Sequence, residues 1–313
     1  MVVIATWNVE NLFRPGVEAG PSSGAAYEAK LDSLAETITG LAPDVLAVQE
    51  VGQPAALGDL VGRLGGTWHT ALAGPDGRGI RVGVLSRFPL SEVEQVVAFP
   101  DRLLPIQVGD DGSTIAAMGR PALRVHAEVE GVGIDVVSSH LKSKLLTFPG
   151  GRFHPLDEDE RVRCGVYALH RRAGEAAAVR AYVTGLLAAD GRRRAVVVAG
   201  DLNDEPEAAT TQSLQGPPGS ELGGGGFDRA DRGDGSRLWN LAPLIPVEQR
   251  FSRVFEGRGE LIDHLLVSHA LVGRVKTVST VATQVGSVTE DPGERRDAAG
   301  SDHRPVWAEF DLT

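Results

Sequence analysis

The stretch from Arg194 to Pro206, RAVVVAGDLNDEP, constrains this chain more than any other. Its first six residues form a short, β-branched apolar run, which reads as a buried strand. Gly200 lets the backbone tighten at the strand's end, and Asp201 and Asn203 follow two residues apart. If extended geometry persists there, both side chains leave the same face. An apolar core has no use for a carboxylate and a carboxamide side by side. Read alone, Asp-x-Asn makes a good turn, and Pro206 suits the first turn of a helix over PEAATTQSL.

The same ending recurs along the chain. Val2–Trp7 reads as a strand that runs into Asn8, Glu10 and Asn11, and a Gly/Pro/Ser-rich loop follows to about Gly24. Tyr27, Leu31, Leu34, Ile38 and Leu41 recur at helical spacing; Pro43 stops that helix, and Asp44–Glu50 is the next strand. A helix is expected from Pro54 to Leu64, with strands near Thr67–Ala71, Ile80–Ser86, Ser91–Phe99, Pro121–Glu130 and Val132–His140. Glu130-Gly131 between the last two predicts an antiparallel hairpin. Acids at Asp157–Glu160 open a long helix to about Ala188, with Val162, Val166, Leu169, Ala173, Ala177 and Leu187 near its apolar face. Gly216–Gly235 reads as a mobile surface loop. Strands are expected at Phe251–Phe255, Leu261–Ser268, Arg274–Thr283 and Pro305–Phe310, with a polar, flexible stretch from Gly286 to Gly300.

With 313 residues, 42% hydrophobic, no internal repeat and no dividing linker, a single domain over residues 1–313 is expected. The net charge of −11 excludes a wholesale basic surface for nucleic acid and leaves room for a local basic groove. One cysteine, Cys164, excludes an intramolecular disulfide framework. No segment is long and apolar enough to span a membrane, and the first residues lack a signal-peptide pattern. A cytoplasmic monomer without a membrane partner is the expectation.

Asn8, Glu50, His140, Asp201, Asn203, Asp263, His264, Asp302 and His303 all follow or lie within β-like runs. Their stretches, TWNVENL, VQE, SSHLKSK, AGDLNDEP, LIDHLLVS and SDHRPV, resemble in order and spacing the endonuclease/exonuclease/phosphatase superfamily, whose fold is DNase I-like. HLKSK resembles a bacterial subgroup of it. The resemblance spans residues 6 to 306 and implies an α/β, four-layer sandwich of two mixed, mainly antiparallel β-sheets flanked by helices, with the active site at one rim.

It also implies a role for each residue. Glu50 matches the family's metal ligand; Asn8 and Asp302 add hard oxygens, a set suited to Mg²⁺ or Mn²⁺. Asp201 and Asn203 match the pair that orients the attacking water and contacts the phosphoryl oxygen. His303 matches a histidine that contacts the phosphate as a cation, supported by Asp263. His140 matches a second histidine that contacts phosphate or protonates the leaving oxygen, whereas His264 reads as structural. In DNase-like members a glutamate on a neighbouring strand supports that second histidine. Here the corresponding stretch, Gly79–Ser86, has no acid, only Arg81.

Asn11, Lys142, Lys144 and Arg172 are expected to bind substrate. Lys142 to Arg180 is locally basic, which reads either as a groove wall or as a solvated helix face with Arg172 pairing to Glu175. The expected activity is metal-dependent hydrolysis of phosphodiester bonds by a metal-oriented water, with nucleic acid as a possible substrate. The alternatives are a phosphomonoesterase for a small phosphorylated metabolite and, from another class, a non-catalytic binding module.

Overall fold

A computed structural model describes every residue except 153, 220–221, 223–229, 284, 290 and 292. The chain starts with β1 (Val2–Leu12), α1 (Gly24–Leu41), β2 (Val45–Val51) and α2 (Pro54–Val61). Then come β3 (His69–Leu72), β4 (Arg81–Ser86), β5 (Leu90–Ala98) and a small ribbon of β6 (Ile106–Gln107) and β7 (Thr114–Ile115). The hairpin β8 (Ala117–Val129) and β9 (Val132–His140) leads into α3 (Glu158–Leu187) and β10 (Ala195–Asp201). After α4 (Ala209–Gln215) and β11 (Leu238–Asn240) lie a second ribbon, β12 (Arg253–Phe255) and β13 (Arg258–Glu260), and β14 (Asp263–Ser268). The last elements are α5 (His269–Val272), β15 (Val275–Thr280) and β16 (Val306–Phe310).

Two six-stranded sheets result, ordered β15-β16-β1-β2-β4-β3 and β11-β14-β10-β9-β8-β5. Each is antiparallel except for one central parallel pair, β1 with β2 and β9 with β10. Strand alternation builds three apolar layers. Val2, Ile4, Val45, Ala47, Val197 and Ala199 fill the space between the sheets. Trp7, Val9, Leu46 and Val48 pack outward under α1 and α2, and Val196 and Val198 pack outward under α3. The architecture is the expected α/β sandwich with helices outside.

Three local expectations need correction. Val162, Val166 and Leu169 are exposed, and the buried face of α3 lies roughly a third of a turn away. That face is chosen by polar anchors: buried Glu175 accepts the Lys142 N–H at 2.6 Å, and Arg172 reaches Asp204 at 2.8 Å. Pro206 lies in a turn ahead of α4, which begins at Ala209. Residues 220–221 and 223–229 of the expected glycine-rich loop lie outside the described residues, and its end, Arg232–Gly235, is a short helix boxed by Asp231 and Asp234.

Candidate active site

Strand parity carries polar groups to one rim. On β1 the inter-sheet face reads Val2, Ile4, then Thr6 and Asn8; on β10 it reads Val197, Ala199, then Asp201. Register aligns Asp201 with His140 of β9 on one side and with Asp263 of β14 on the other. Three ionisable side chains thus stand in a row across the second sheet. Gly200 is required just before the row, because a Cβ there would meet Ser139 O at 1.9 Å. Alternation alone would turn Glu50 toward the helices. A register shift between Val48 and Val51, with φ of 62° at Glu50, re-aims it.

Asp201 Oδ2 is the hub. It accepts from Asn8 Nδ2 at 3.0 Å, with His140 Nε2 at 3.5 Å and His303 Nε2 at 4.0 Å. Its other oxygen accepts the Asn203 N–H at 2.9 Å, so the turn holds the carboxylate that precedes it. Asn203 is left-handed, with φ of 55°, instead of extended, and one of its amide hydrogens goes to Leu141 O. Beyond the first sheet, Trp7 Nε1 donates to His303 O at 2.8 Å, and Ser301 Oγ accepts the His303 N–H. Nδ1 of His303 then meets Asp263 Oδ2 at 2.7 Å.

The two histidines carry opposite electrostatics. Burial alone would lower His303, but Asp263, Asp302 and Asp201 together raise it to about 10. Burial, then the cations Arg120, His303, Arg78 and Lys142, hold His140 well below the usual range. Its Nδ1 is buried without a hydrogen-bond partner. Burial and the charge of Asp263 push Asp201 up to about 7. A hydrogen-bond donor cation, a neutral imidazole and a carboxylate poised near neutrality surround one point.

A model of the Endonuclease/Exonuclease/phosphatase family matches residues 5–303. The chain belongs to that family. Its fold is similar to truncated TDP2 of Caenorhabditis elegans, with TM-score 0.58 and 16% identity over 99% of this chain and 97% of that one. It is also similar to a mannosyl-6-phosphatase of Bacteroides thetaiotaomicron, with TM-score 0.59 and 15% identity over 100% of both chains. A 3'-5' exonuclease of Neisseria meningitidis shares 22% identity and a TM-score of 0.54, over 99% of this chain and 100% of that one. No curated protein sequence matches. Members of the family are typically metal-dependent hydrolases of phosphoesters.

The family's metal can be tested against the donors present. Glu50 and Asp302 offer hard oxygens to a cleft of about 550 Å³. Asn8 differs from expectation: its Oδ1 accepts the Glu10 N–H at 2.9 Å, and it turns Nδ2 toward Glu50 and Asp201. An amide nitrogen is no ligand for a hard cation, so Asn8 is a hydrogen-bonding bridge between two carboxylates. A second set, Asp201, Asp263 and His303, brings its ligand atoms within 4.8 Å of one another and has the geometry to hold a metal ion. It mixes nitrogen with oxygen and is fully buried. Glu50 and Asp302 fit a Mg²⁺-like ion better.

The basic segment divides. Lys142 and Lys144 line the cleft, and Asn11 joins it while giving its N–H to Glu50 Oε2 at 3.0 Å. Arg172 does not: its buried guanidinium is taken by Asp204 and by Lys142 O at 3.0 Å, so it is a structural anchor. In place of the Arg172–Glu175 pair of the solvated-face alternative, Arg171 meets Glu175 at 2.9 Å. Arg152, Arg161 and Arg163 pair with Glu160, Glu158 and Asp110. Both ring nitrogens of His264 are engaged, by Asn240 and by Asp204 O, away from the cleft.

Sequence reading missed the cleft residues Glu10, Arg78, Arg120, Arg253 and Arg295, whereas Arg171 lay within the basic segment read as a possible groove wall. Only Glu10 lay inside a quoted motif. Its carboxylate takes Arg295 at 2.8 and 2.9 Å and accepts the Asp302 N–H at 3.0 Å.

Proposed function

We propose that the chain is a Mg²⁺- or Mn²⁺-dependent phosphodiesterase that hydrolyses its ester through a directly attacking water. The observation that carries this reading is the convergence of Asn8, His140 and His303 on Asp201 Oδ2. Glu50 and Asp302 would hold the metal, which would supply Lewis-acid neutralisation of phosphoryl oxygens.

The side chains do the rest. Asp201, held by Asn8 and by the Asn203 N–H, accepts the proton of the attacking water; a carboxylate near neutrality is matched to that task. His303, kept cationic by Asp263, turns Nε2–H toward the cleft. Its nearest carboxylate oxygens, on Asp302 at 3.9 Å and Asp201 at 4.0 Å, are too distant to take that hydrogen. It is therefore available to a phosphoryl oxygen as charge develops. Asn203 keeps a second amide hydrogen for the same oxygen shell. His140, neutral, orients the scissile group by hydrogen bonding.

Besides the hub, the cleft is lined by Arg78 and Arg171 and by Arg253 and Thr289. A diester, with substituents on both sides of phosphorus, gives these outlying residues more to contact than a monoester does. We read the enzyme as a cytoplasmic monomer acting on nucleic acid or another diester; among the described residues no helix is long and apolar enough to cross a membrane. The test is hydrolysis of bis-p-nitrophenyl phosphate against p-nitrophenyl phosphate with Mg²⁺, Mn²⁺ or EDTA, with DNA and RNA alongside. Diester turnover that EDTA abolishes is expected. Faster turnover of the monoester would favour the phosphatase alternative, and no turnover of any ester would sink the enzymatic reading.

A further inference from the structure

The cleft wall beside His140 carries four cations for which the reaction at Asp201 has no use. Arg78 comes from the loop between β3 and β4, Arg120 from β8, Lys142 from the end of β9 and Arg171 from α3. Two are matched by a carboxylate: Arg120 with Asp76 at 2.7 Å and Arg171 with buried Glu175 at 2.9 Å. Lys142 Nζ spends its hydrogens on neutral oxygens, Ser143 O at 2.9 Å, Ser143 Oγ at 3.2 Å and Leu145 O at 2.7 Å. The Arg78 guanidinium is exposed and has no partner among the described residues.

The wall is built to hold these charges together. Asp76 uses Oδ2 for Arg120 and Oδ1 for the N–H groups of Arg78 and Ile80, at 2.8 and 3.0 Å. One carboxylate thus shapes the loop that presents Arg78 and ties it to β8. Glu175 does the same opposite, accepting Arg171 Nε and the Lys142 N–H. Gly119 leaves space for the Arg171 head, since a Cβ there would stand 2.2 Å from Nη2. Burial, then the charge of Arg171, with Arg172 and Arg78 adding to it, lowers Lys142 to about 8. Four cations crowd here against two carboxylates, Asp76 and Glu175, in a chain whose net charge is −11.

We propose that Arg78, Lys142 and Arg171 form a second anion subsite, which grips a phosphate group that the substrate carries beside the one being hydrolysed. The identity of the scissile phosphate rests on the phosphodiesterase reading; anion binding at this wall does not. The ligand chemistry is a second phosphate within reach of the hub, whether the next link of a nucleic-acid strand or the second ester of a small bisphosphorylated metabolite.

Binding is tested first, without turnover. In EDTA, the wild type is titrated by calorimetry with a phosphorothioate-linked thymidine tetranucleotide and, separately, with a sugar bisphosphate. Arg78→Ser and Lys142→Ser should each weaken binding about tenfold, the scale of one charge-assisted contact. Each removed charge should also flatten the log–log salt dependence of tetranucleotide binding by about 0.7. Arg78→Lys should recover part of the loss. A loss confined to the tetranucleotide identifies the nucleic-acid source, and a loss confined to the bisphosphate identifies the metabolite.

Turnover is tested second. Arg78→Ser should raise KM for the corresponding two-phosphate substrate about tenfold more than KM for bis-p-nitrophenyl phosphate, which has one phosphate. Undiminished binding of both probes in both Ser variants overturns the proposal, as does an equal rise of KM on the one-phosphate ester. A wild type that hydrolyses no ester but binds a probe through Arg78 would sink the enzymatic reading and leave the subsite standing.

Discussion

The two walls of the cleft are electrostatic opposites. On the side of β1 and β2 stand Glu10, Glu50 and Asp302, with Arg295 and buried Lys30 pinned against Glu10. On the side of His140 stand Arg78, Arg120, Lys142 and Arg171. The first wall offers carboxylate oxygens to a cation, and the second offers N–H donors to an anion. Asp201 lies on the boundary, between a cationic and a neutral histidine. A metal–phosphate pair placed there finds each of its charges answered, and the net acidity of the chain says little about what the cleft attracts.

That division is broken most directly at the boundary itself. Asp201→Asn should lower kcat about a thousandfold, the range of losing a positioned base. It should not destabilise the protein, because the amide is isosteric and relieves repulsion from Asp263 in a fully buried site. Thermal unfolding alongside single-turnover rates checks both halves; mild loss of rate would make Asp201 a structural carboxylate.

On the acidic wall, Glu50→Gln should cost about a hundredfold in activity at fixed Mg²⁺, since several kcal/mol of charge stabilisation pass through the metal. Unchanged turnover at saturating Mg²⁺ would remove Glu50 from the ligand set. Arg295→Ala is gentler. It frees Glu10, which holds the Asp302 N–H, so the Mg²⁺ concentration at half-maximal rate should rise about tenfold, as when a ligand's support is lost. A Mg²⁺ titration that leaves this midpoint in place while kcat falls would mean that Arg295 acts elsewhere.

The acidic wall and the boundary were far more legible in the sequence than the basic wall. Asp201, Asp263, Glu50 and His140 sit at the ends of β-branched runs, so parity and register dictate where they go. Asp302 and His303 stand four and three residues before β16 and are carried in with it. Glu10 was visible in the same motif but had no partner in sequence; Arg295 lies 285 residues away. The basic wall comes from a loop, a strand start, the segment after β9 and a helix face, tied together by Asp76 and Glu175, which reach Arg120 and Lys142 across 44 and 33 residues. Charge density along the chain pointed to residues 142–172, yet Arg172 is anchored behind the wall while Arg171 lies on it. One position of helix rotation, set by Asp204 and Glu175, made that difference. The acid missing from Gly79–Ser86 has its counterpart in the fold: Asp76 faces Arg120, so a cation–carboxylate pair stands beside His140 in place of a lone carboxylate.

The smallest expected effect is a shift in pH dependence, and it tests why the two histidines differ. His303 is raised to about 10, so it is protonated in the folded protein throughout the neutral range. Its contribution to stability is fully present below the ordinary histidine pKa of about 6.5 and is lost as pH rises through about 10. Activity that needs the cation falls over the same upper limb. Asp201, raised to about 7, must lose its proton to act, so activity rises on the acid side. A divalent cation nearby favours the deprotonated forms and moves both limbs to lower pH, so variants must be compared at one saturating metal concentration. Asp263→Asn removes the carboxylate that touches His303 Nδ1, and the basic limb of kcat/KM should move down by about one pH unit or more. The same variant removes a repulsive neighbour of Asp201, so the acid limb should also move down. A neutral His303 acting as the base predicts the opposite: activity would rise through the histidine pKa. Profiles of the wild type and Asp263→Asn, with His303 followed by NMR of the ring protons, separate the two. An upper limb that stays put while the ring pKa falls would detach the imidazolium from the rate.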